Sequence, residues 1–218
     1  AKILIISHLG RPSENKKSGL SLMPIFNHLK DVFGKQIEFY NGDFNSELSK
    51  KLSEASSSKI ILTENIRFFN EEMKDDINFA KKIAALGDMY INDAFSCSHR
   101  KQASVHALPS LFRESYAGPL FQREVDAIDS VISKNRHPVT CIIGGSKIST
   151  KIGVILNLVK KVDNIVIVGA MANNFLRNKG LNIGNSLVEK NTREIVDKIF
   201  NALADSKCNL ILPKDYVF

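Results

Sequence analysis

Seven short runs of β-branched and large apolar residues alternate along the chain with longer stretches of helical period: Ile3 to Ile6, Ile37 to Tyr40, Ile60 to Leu62, Met89 to Ile91, Val139 to Ile143, Ile165 to Val168 and Leu210 to Leu212. This is the βαβα signature of parallel sheets covered by helices, and it predicts an α/β protein. Between the first two runs, Leu22, Phe26, Leu29 and Phe33 repeat at spacings of four, three and four, with Pro24 where a first helical turn tolerates it. Ile77, Ala80, Ile83 and Ala84 form a second helical face, with Gly87 as its stop.

Gly118 and Pro119 interrupt the alternation and open a charged helix from about Leu120 to Lys134, striped by Val125, Ile128, Val131 and Ile132 and ended by Asn135 to Pro138. Two lobes joined by a helix are therefore expected, the first over 1–117, the connector over 118–137 and the second over 138–218. The chain runs from Ala1 straight into one apolar run and stops at Phe218 just past another. Neither end has the polar fringe usual at a domain terminus, so both lobes are expected to be incomplete parts of a longer protein.

With 218 residues and 44% hydrophobic content, the chain is excluded from the disordered, collagen-like and disulfide-scaffold classes. No apolar run approaches the roughly 18 residues that cross a bilayer, and no secretory signal opens the sequence, so no membrane association is expected. Cys97, Cys141 and Cys208 are far apart and lack CxxC spacing, which fits reduced thiols and a cytoplasmic location. The formal charge of +7 favours anions, whether nucleic acid, acidic membrane or phosphorylated metabolites. A merely solvated Lys-rich surface explains that charge equally well.

Position narrows the choice. Ser7 to Pro12 follows the first run, Glu64 to Phe68 the third, and Asn92 to Arg100 the fourth. In a parallel sheet the carboxyl ends of strands share one edge, where open α/β folds bind ligands. Arg11, Arg67 and Arg100 are therefore expected to converge with His8 and His99 into an anion pocket, Gly10 allowing close backbone approach. Guanidinium suits this because its planar fork bonds phosphate or carboxylate in bidentate fashion and stays charged. For any one arginine alone, a surface position or a pairing with Glu64 or Asp93 is the plainer account; for the three together the pocket is favoured.

In the second half, Gly144 to Lys151 reads as a strand end, a glycine turn and a helix start, with Lys147 and Lys151 on one helix face. Cations there oppose the helix dipole, and a bound phosphate resolves the conflict. The segment is neither a Walker A loop nor GxGxxG, and alone it is as well explained by ordinary helix entry. Gly169 to Ala172 is a similar tight turn, open either to the face of a base or to close helix packing.

The segments SHLGRP (Ser7 to Pro12), ENIRF (Glu64 to Phe68), NDAF with HR (Asn92 to Arg100), GGSKISTKI (Gly144 to Ile152) and VGAMANNFL (Val168 to Leu176) resemble the phosphoglycerate kinase family in order and approximate spacing. The resemblance implies two Rossmann-like lobes with parallel sheets joined by a long helix, the first taking 3-phosphoglycerate and the second ADP or ATP. It implies substrate binding by His8, Leu9, Gly10, Arg11, Arg67, His99 and Arg100, and nucleotide binding by Gly145, Ser146, Lys147, Lys151 and Gly169. Lys147 and Arg11 take the catalytic roles.

Family members usually have Gly and Thr where this chain has Ser96 and Cys97, and often Asp where it has Thr150. The family's early Asp and Asn substrate contacts and its transition-state arginine would lie before Ala1. Its ribose-binding glutamate and the GGDT-type loop that holds magnesium would lie after Phe218.

The implied reaction is glycolytic phosphoryl transfer between 1,3-bisphosphoglycerate and ADP, by a monomer that closes about the connecting helix. A folded but inactive substrate-binding piece of the family is the alternative. Nucleic-acid binding is disfavoured because no aromatic row interleaves the basic residues, and a dehydrogenase because GxGxxG is absent.

Overall fold

The computed structural model describes residues 1–12, 19–132 and 137–215. Two compact units divide the chain, Ala1–Glu124 and Val125–Phe218. In the first, β1 (Ile3–Ile5), β2 (Ile37–Tyr40) and β3 (Ile60–Thr63) form a parallel sheet in the order β1-β3-β2. Ile3 and Ile37 both register with Ile60. The period of two sends Ile61 to one face and Leu62 to the other, and both are buried. Leu62 packs with Leu22, Phe26 and Leu29 beside α1 (Met23–Phe33), as the helical spacing predicts. Phe33, the fourth member of that stripe, stays 40% exposed at the helix end, where Gly34 closes it with a positive φ.

Ile61 packs against α2 (Ser46–Glu54) through Leu48 and Leu52. After the short α3 (Asn70–Met73), α4 (Ile77–Ala84) adds Phe79, Ala80 and Ile83 to the same core. Asn45 caps α2, and Asp76 caps α4 by accepting from the Phe79 N–H at 2.8 Å. α4 ends at Ala84 with Ala85 as its cap, so Gly87 lies beyond the helix and does not stop it.

β4 (Tyr90–Asn92) pairs in parallel with β5 (Ser115–Ala117) in a second, two-stranded sheet. β5 was not expected: its Ser-Tyr-Ala sequence has no apolar run, and all three residues are exposed. The strands of the first unit thus lie in two hydrogen-bonded sheets rather than along one edge.

α5 (Pro119–Ile132) crosses from one unit into the next, the division falling after Glu124. Its Ile128 and Val131 remain about half exposed instead of forming a buried stripe. The expected last residue Lys134, and Asn135 and Arg136 of the Asn135 to Pro138 segment expected to end the helix, lie outside the described residues.

The second unit holds a parallel sheet β6-β7-β8 made of β6 (Thr140–Gly144), β7 (Asn164–Val168) and β8 (Asn209–Ile211). One face, with Ile165 and Ile167 fully buried, packs on α6 (Ile152–Val159), α7 (Ala170–Asn178) and α8 (Arg193–Ala204) through Ile155, Phe175 and Ile199.

Candidate functional site

In the first unit the anion cluster is built outward from Asn65, which is fully buried just after β3. Its amide nitrogen donates to the carbonyls of Leu9 (2.9 Å) and Leu20 (2.8 Å), and its oxygen accepts from the Arg67 N–H. Glu64 accepts from the Ser21 hydroxyl and from the Leu22 and Asn65 amides. Together these bonds pin the segments carrying Leu9, Gly10 and Leu20 to the end of β3. Gly10 has φ +62°, which strains any L side chain, and a Cβ there would push on the Leu20 side chain at 2.7 Å, so the position favours glycine.

Arg67 is only 9% exposed. Its Nη1 donates to the Gly10 carbonyl at 2.8 Å and its Nη2 to Gln102 Oε1 at 3.2 Å. Burial, then the neighbouring Arg100, and more weakly Arg11, hold its pKa below the ordinary value, while Cys97 and Glu72 oppose that shift. The His8 imidazole is likewise pushed down, first by burial and then by Arg67 and Arg100. The structure therefore brings His8, Arg11, Arg67 and Arg100 into one electrostatic neighbourhood, although β1 and β4 belong to different sheets. Leu9 and His99, next to His8 and Arg100 in sequence, are exposed. Among the described residues, no ion pair includes any of the three arginines.

The pairing of these arginines with Glu64 or Asp93 is overturned. Glu64 serves the loop amides, and Asp93 caps α5 by accepting from the Leu120 (2.6 Å) and Phe121 (2.9 Å) N–H groups. Gln102 was missed in the sequence, because it meets Arg67 across 35 residues and no local spacing announces it.

In the second unit α6 begins at Ile152, so Lys147 and Lys151 both precede it and do not share a helix face. The intervening residues form turns instead: the Lys151 N–H donates to the Ile148 carbonyl (2.9 Å) and the Thr150 hydroxyl to the Lys147 carbonyl (3.0 Å). Ile148 is fully buried, whereas Gly145, Ser146, Lys147 and Lys151 are exposed.

The Met171 N–H donates to the Gly145 carbonyl at 2.7 Å, which brings the loops after β6 and β7 together. Gly169, at φ +64° and ψ −158°, occupies a backbone region open essentially to glycine alone. Glu189 was also missed. Its carboxylate accepts from both the N–H (3.1 Å) and the hydroxyl (2.5 Å) of Ser149, 40 residues away. Those bonds, the side-chain one foremost, lower its pKa.

Among the described residues no group of three or more His, Cys, Asp or Glu side chains is placed to hold a metal ion, and no helix is long and apolar enough to cross a membrane. Among the described residues, then, the magnesium implied by the resemblance finds no cluster of three such side chains to hold it.

A family model described as phosphoglycerate kinase matches residues 1–218. The chain is similar to the phosphoglycerate kinase of Wolbachia pipientis wMel, 40% identical over 215 residues that make up 99% of this chain and 54% of that protein. It is 41% identical over 217 residues to that of Bartonella bacilliformis, covering 100% and 54%. Among solved structures, that of phosphoglycerate kinase from Coxiella burnetii matches with a TM-score of 0.79 and 34% identity, over 98% of this chain and 53% of the other. The chain thus spans about half the length of the curated relatives it matches.

Proposed function

The chain belongs to the phosphoglycerate kinase family, and from that membership we propose that it serves the reversible transfer of a phosphoryl group between 1,3-bisphosphoglycerate and ADP, giving 3-phosphoglycerate and ATP. The first unit takes the phosphoglycerate and the second the nucleotide. One observation carries this reading: Arg100 and Arg11 act on the buried Arg67, and Arg67 and Arg100 on His8, in a cluster where no described acid forms an ion pair with the arginines. Burying or half-burying cations with no ion-pair partner is costly; Glu72 compensates Arg67 only at a distance, and a multiply charged anion offsets the rest of that cost.

The chemistry needs no general base, because the acceptor in the reverse direction is a carboxylate already ionised at neutral pH. Catalysis reduces to alignment and to neutralising charge on the moving group. Arg67, locked by Gly10 and Gln102, fixes the backbone that carries Arg11. Arg11 and Arg100 bind the phosphoglycerate anion, and Lys147 balances charge on the phosphoryl group. Magnesium supplies charge neutralisation at nucleotide phosphates in such reactions, but no step is assigned to it through residues of this chain. Glycolytic use and a cytoplasmic location belong to the proposal, the latter resting on the three free cysteines.

Calorimetry with 3-phosphoglycerate on the parent chain and on Arg100→Ala tests the reading. Binding weakened by roughly 1.5–3 kcal/mol is expected for loss of a charge-assisted bond, and equal affinity in both would remove the pocket. Because the chain spans about half the length of its relatives, binding without appreciable turnover is the second reading.

A further inference from the structure

Ser149 lies in a stretch where only Ile148 is buried between Gly145 and Lys151, so the turn has little packing to hold its shape. One end of it is instead tied to α7 directly, and the other to the segment that follows α7. At the start, the Met171 N–H holds the Gly145 carbonyl at 2.7 Å. Near the end, Glu189 takes both donors of Ser149.

Glu189 is itself fixed. Its N–H donates to Asn174 Oδ1 at 3.2 Å, and its carbonyl accepts from the Thr192 hydroxyl at 3.3 Å. Asn174 and Thr192 are almost fully buried and bonded to each other at 3.0 Å. A buried post on α7 thus reaches the turn through a single carboxylate.

We infer that Glu189 is a positioning residue of the nucleotide-phosphate site, holding the Gly145–Lys151 turn in the shape that presents Lys147 and Lys151. The inference rests on reading that turn as the nucleotide site and deepens it. An exposed turn left free would lose conformational entropy on gripping a phosphate, whereas a turn already ordered by Glu189 does not.

Charge alone gives the opposite sign. Lys147 and the Glu189 carboxylate lie close enough to interact, and a carboxylate beside a phosphate site repels the ligand. A bystander Glu189 would therefore tighten nucleotide binding when removed, and a positioning Glu189 weakens it.

The test is calorimetry of ADP and of 3-phosphoglycerate with the 218-residue chain, Glu189→Ala and the isosteric Glu189→Gln, together with amide hydrogen exchange at Ser149. We expect Glu189→Ala to weaken ADP roughly three- to tenfold, Glu189→Gln to fall between it and the parent, and 3-phosphoglycerate to bind all three alike. The Ser149 amide should exchange faster in Glu189→Ala. Unchanged or tighter ADP binding in both variants overturns the inference, as does an equal loss of both ligands, which would mean general unfolding. A parent chain that binds no ADP overturns the nucleotide reading and the inference with it; a parent that binds beside an unaffected Glu189→Ala overturns the inference alone.

Discussion

His8 is held below the ordinary imidazole pKa by burial and by two guanidinium neighbours, Arg67 and Arg100. The imidazole is therefore largely neutral at pH 7 in the free protein. An anion seated among the arginines reverses the local potential and favours the imidazolium, so binding is linked to proton uptake. In a proton NMR titration the His8 pKa should lie below 6.5 without ligand and rise when 3-phosphoglycerate is added. A His8 resonance indifferent to ligand would place the anion elsewhere. The sign for stability follows from the same shift. The unfolded chain binds the His8 proton more readily, so His8 costs stability as pH falls below the unfolded pKa of about 6.5.

Arg11 and Arg67 separate by the same reasoning. Arg11 is exposed, so Arg11→Ala should weaken ligand binding and leave the urea midpoint unchanged. Arg67→Ala leaves the buried Gln102 oxygen and the Gly10 carbonyl without their donor, at about 1–3 kcal/mol of stability. The arginines were legible in the sequence because each follows a strand. Gln102 and Glu189 were not, because each acts on a residue 35 or 40 positions away, and only the folded chain sets that distance.

At the scale of elements, the apolar runs foretold seven of the strands to within a residue or two, because β-branched and large apolar residues suit extended backbone in a sheet even where, as at Ile91 and Ile142, they stay exposed. β5 escaped because it is exposed and short, stabilised by its pairing with β4 and not by burial. The start of α6 was misplaced for a different reason. Ser149 and Thr150 spend their side chains on Glu189 and on the Lys147 carbonyl, which favours turns over a helical start.

The NDAF motif shows one element set by another. Asp93, after β4, caps the first turn of α5, and Phe95 meets Phe121 edge-on with centroids 5.3 Å apart. Asp93→Ala should cost about 0.5–2 kcal/mol in chemical denaturation, the usual worth of an N-cap. Asp93→Asn should recover most of it, since the capping oxygen remains. If Asp93→Ala denatured like the parent, α5 would owe nothing to that cap.

The two units differ in how completely their sheets are covered. In β1-β3-β2 both faces carry buried residues, Ile61 on one and Leu62 with Ile37 on the other. In β6-β7-β8 the face opposite the helices leaves Ile142 71% exposed and Ile211 45% exposed. Parallel sheets are ordinarily covered on both faces, so the second unit should be the weaker in isolation. The turn with Lys147 and Lys151 sits at the end of that same sheet, and a phosphate site needs its donors rigid to aid transfer.

The chain also spans about half the length of its relatives, and its described residues offer no metal-binding cluster. Each preorganised electrostatic donor is worth on the order of a hundredfold to a thousandfold in rate. The 218 residues alone should therefore bind 3-phosphoglycerate yet turn over far more slowly than the roughly 1–100 per second typical of kinases. A coupled assay of the purified chain with ATP, magnesium and 3-phosphoglycerate measures this. A rate inside that range would mean that the arginine cluster and the Lys147 turn suffice for transfer, and that the exposed sheet face costs the turn none of its rigidity.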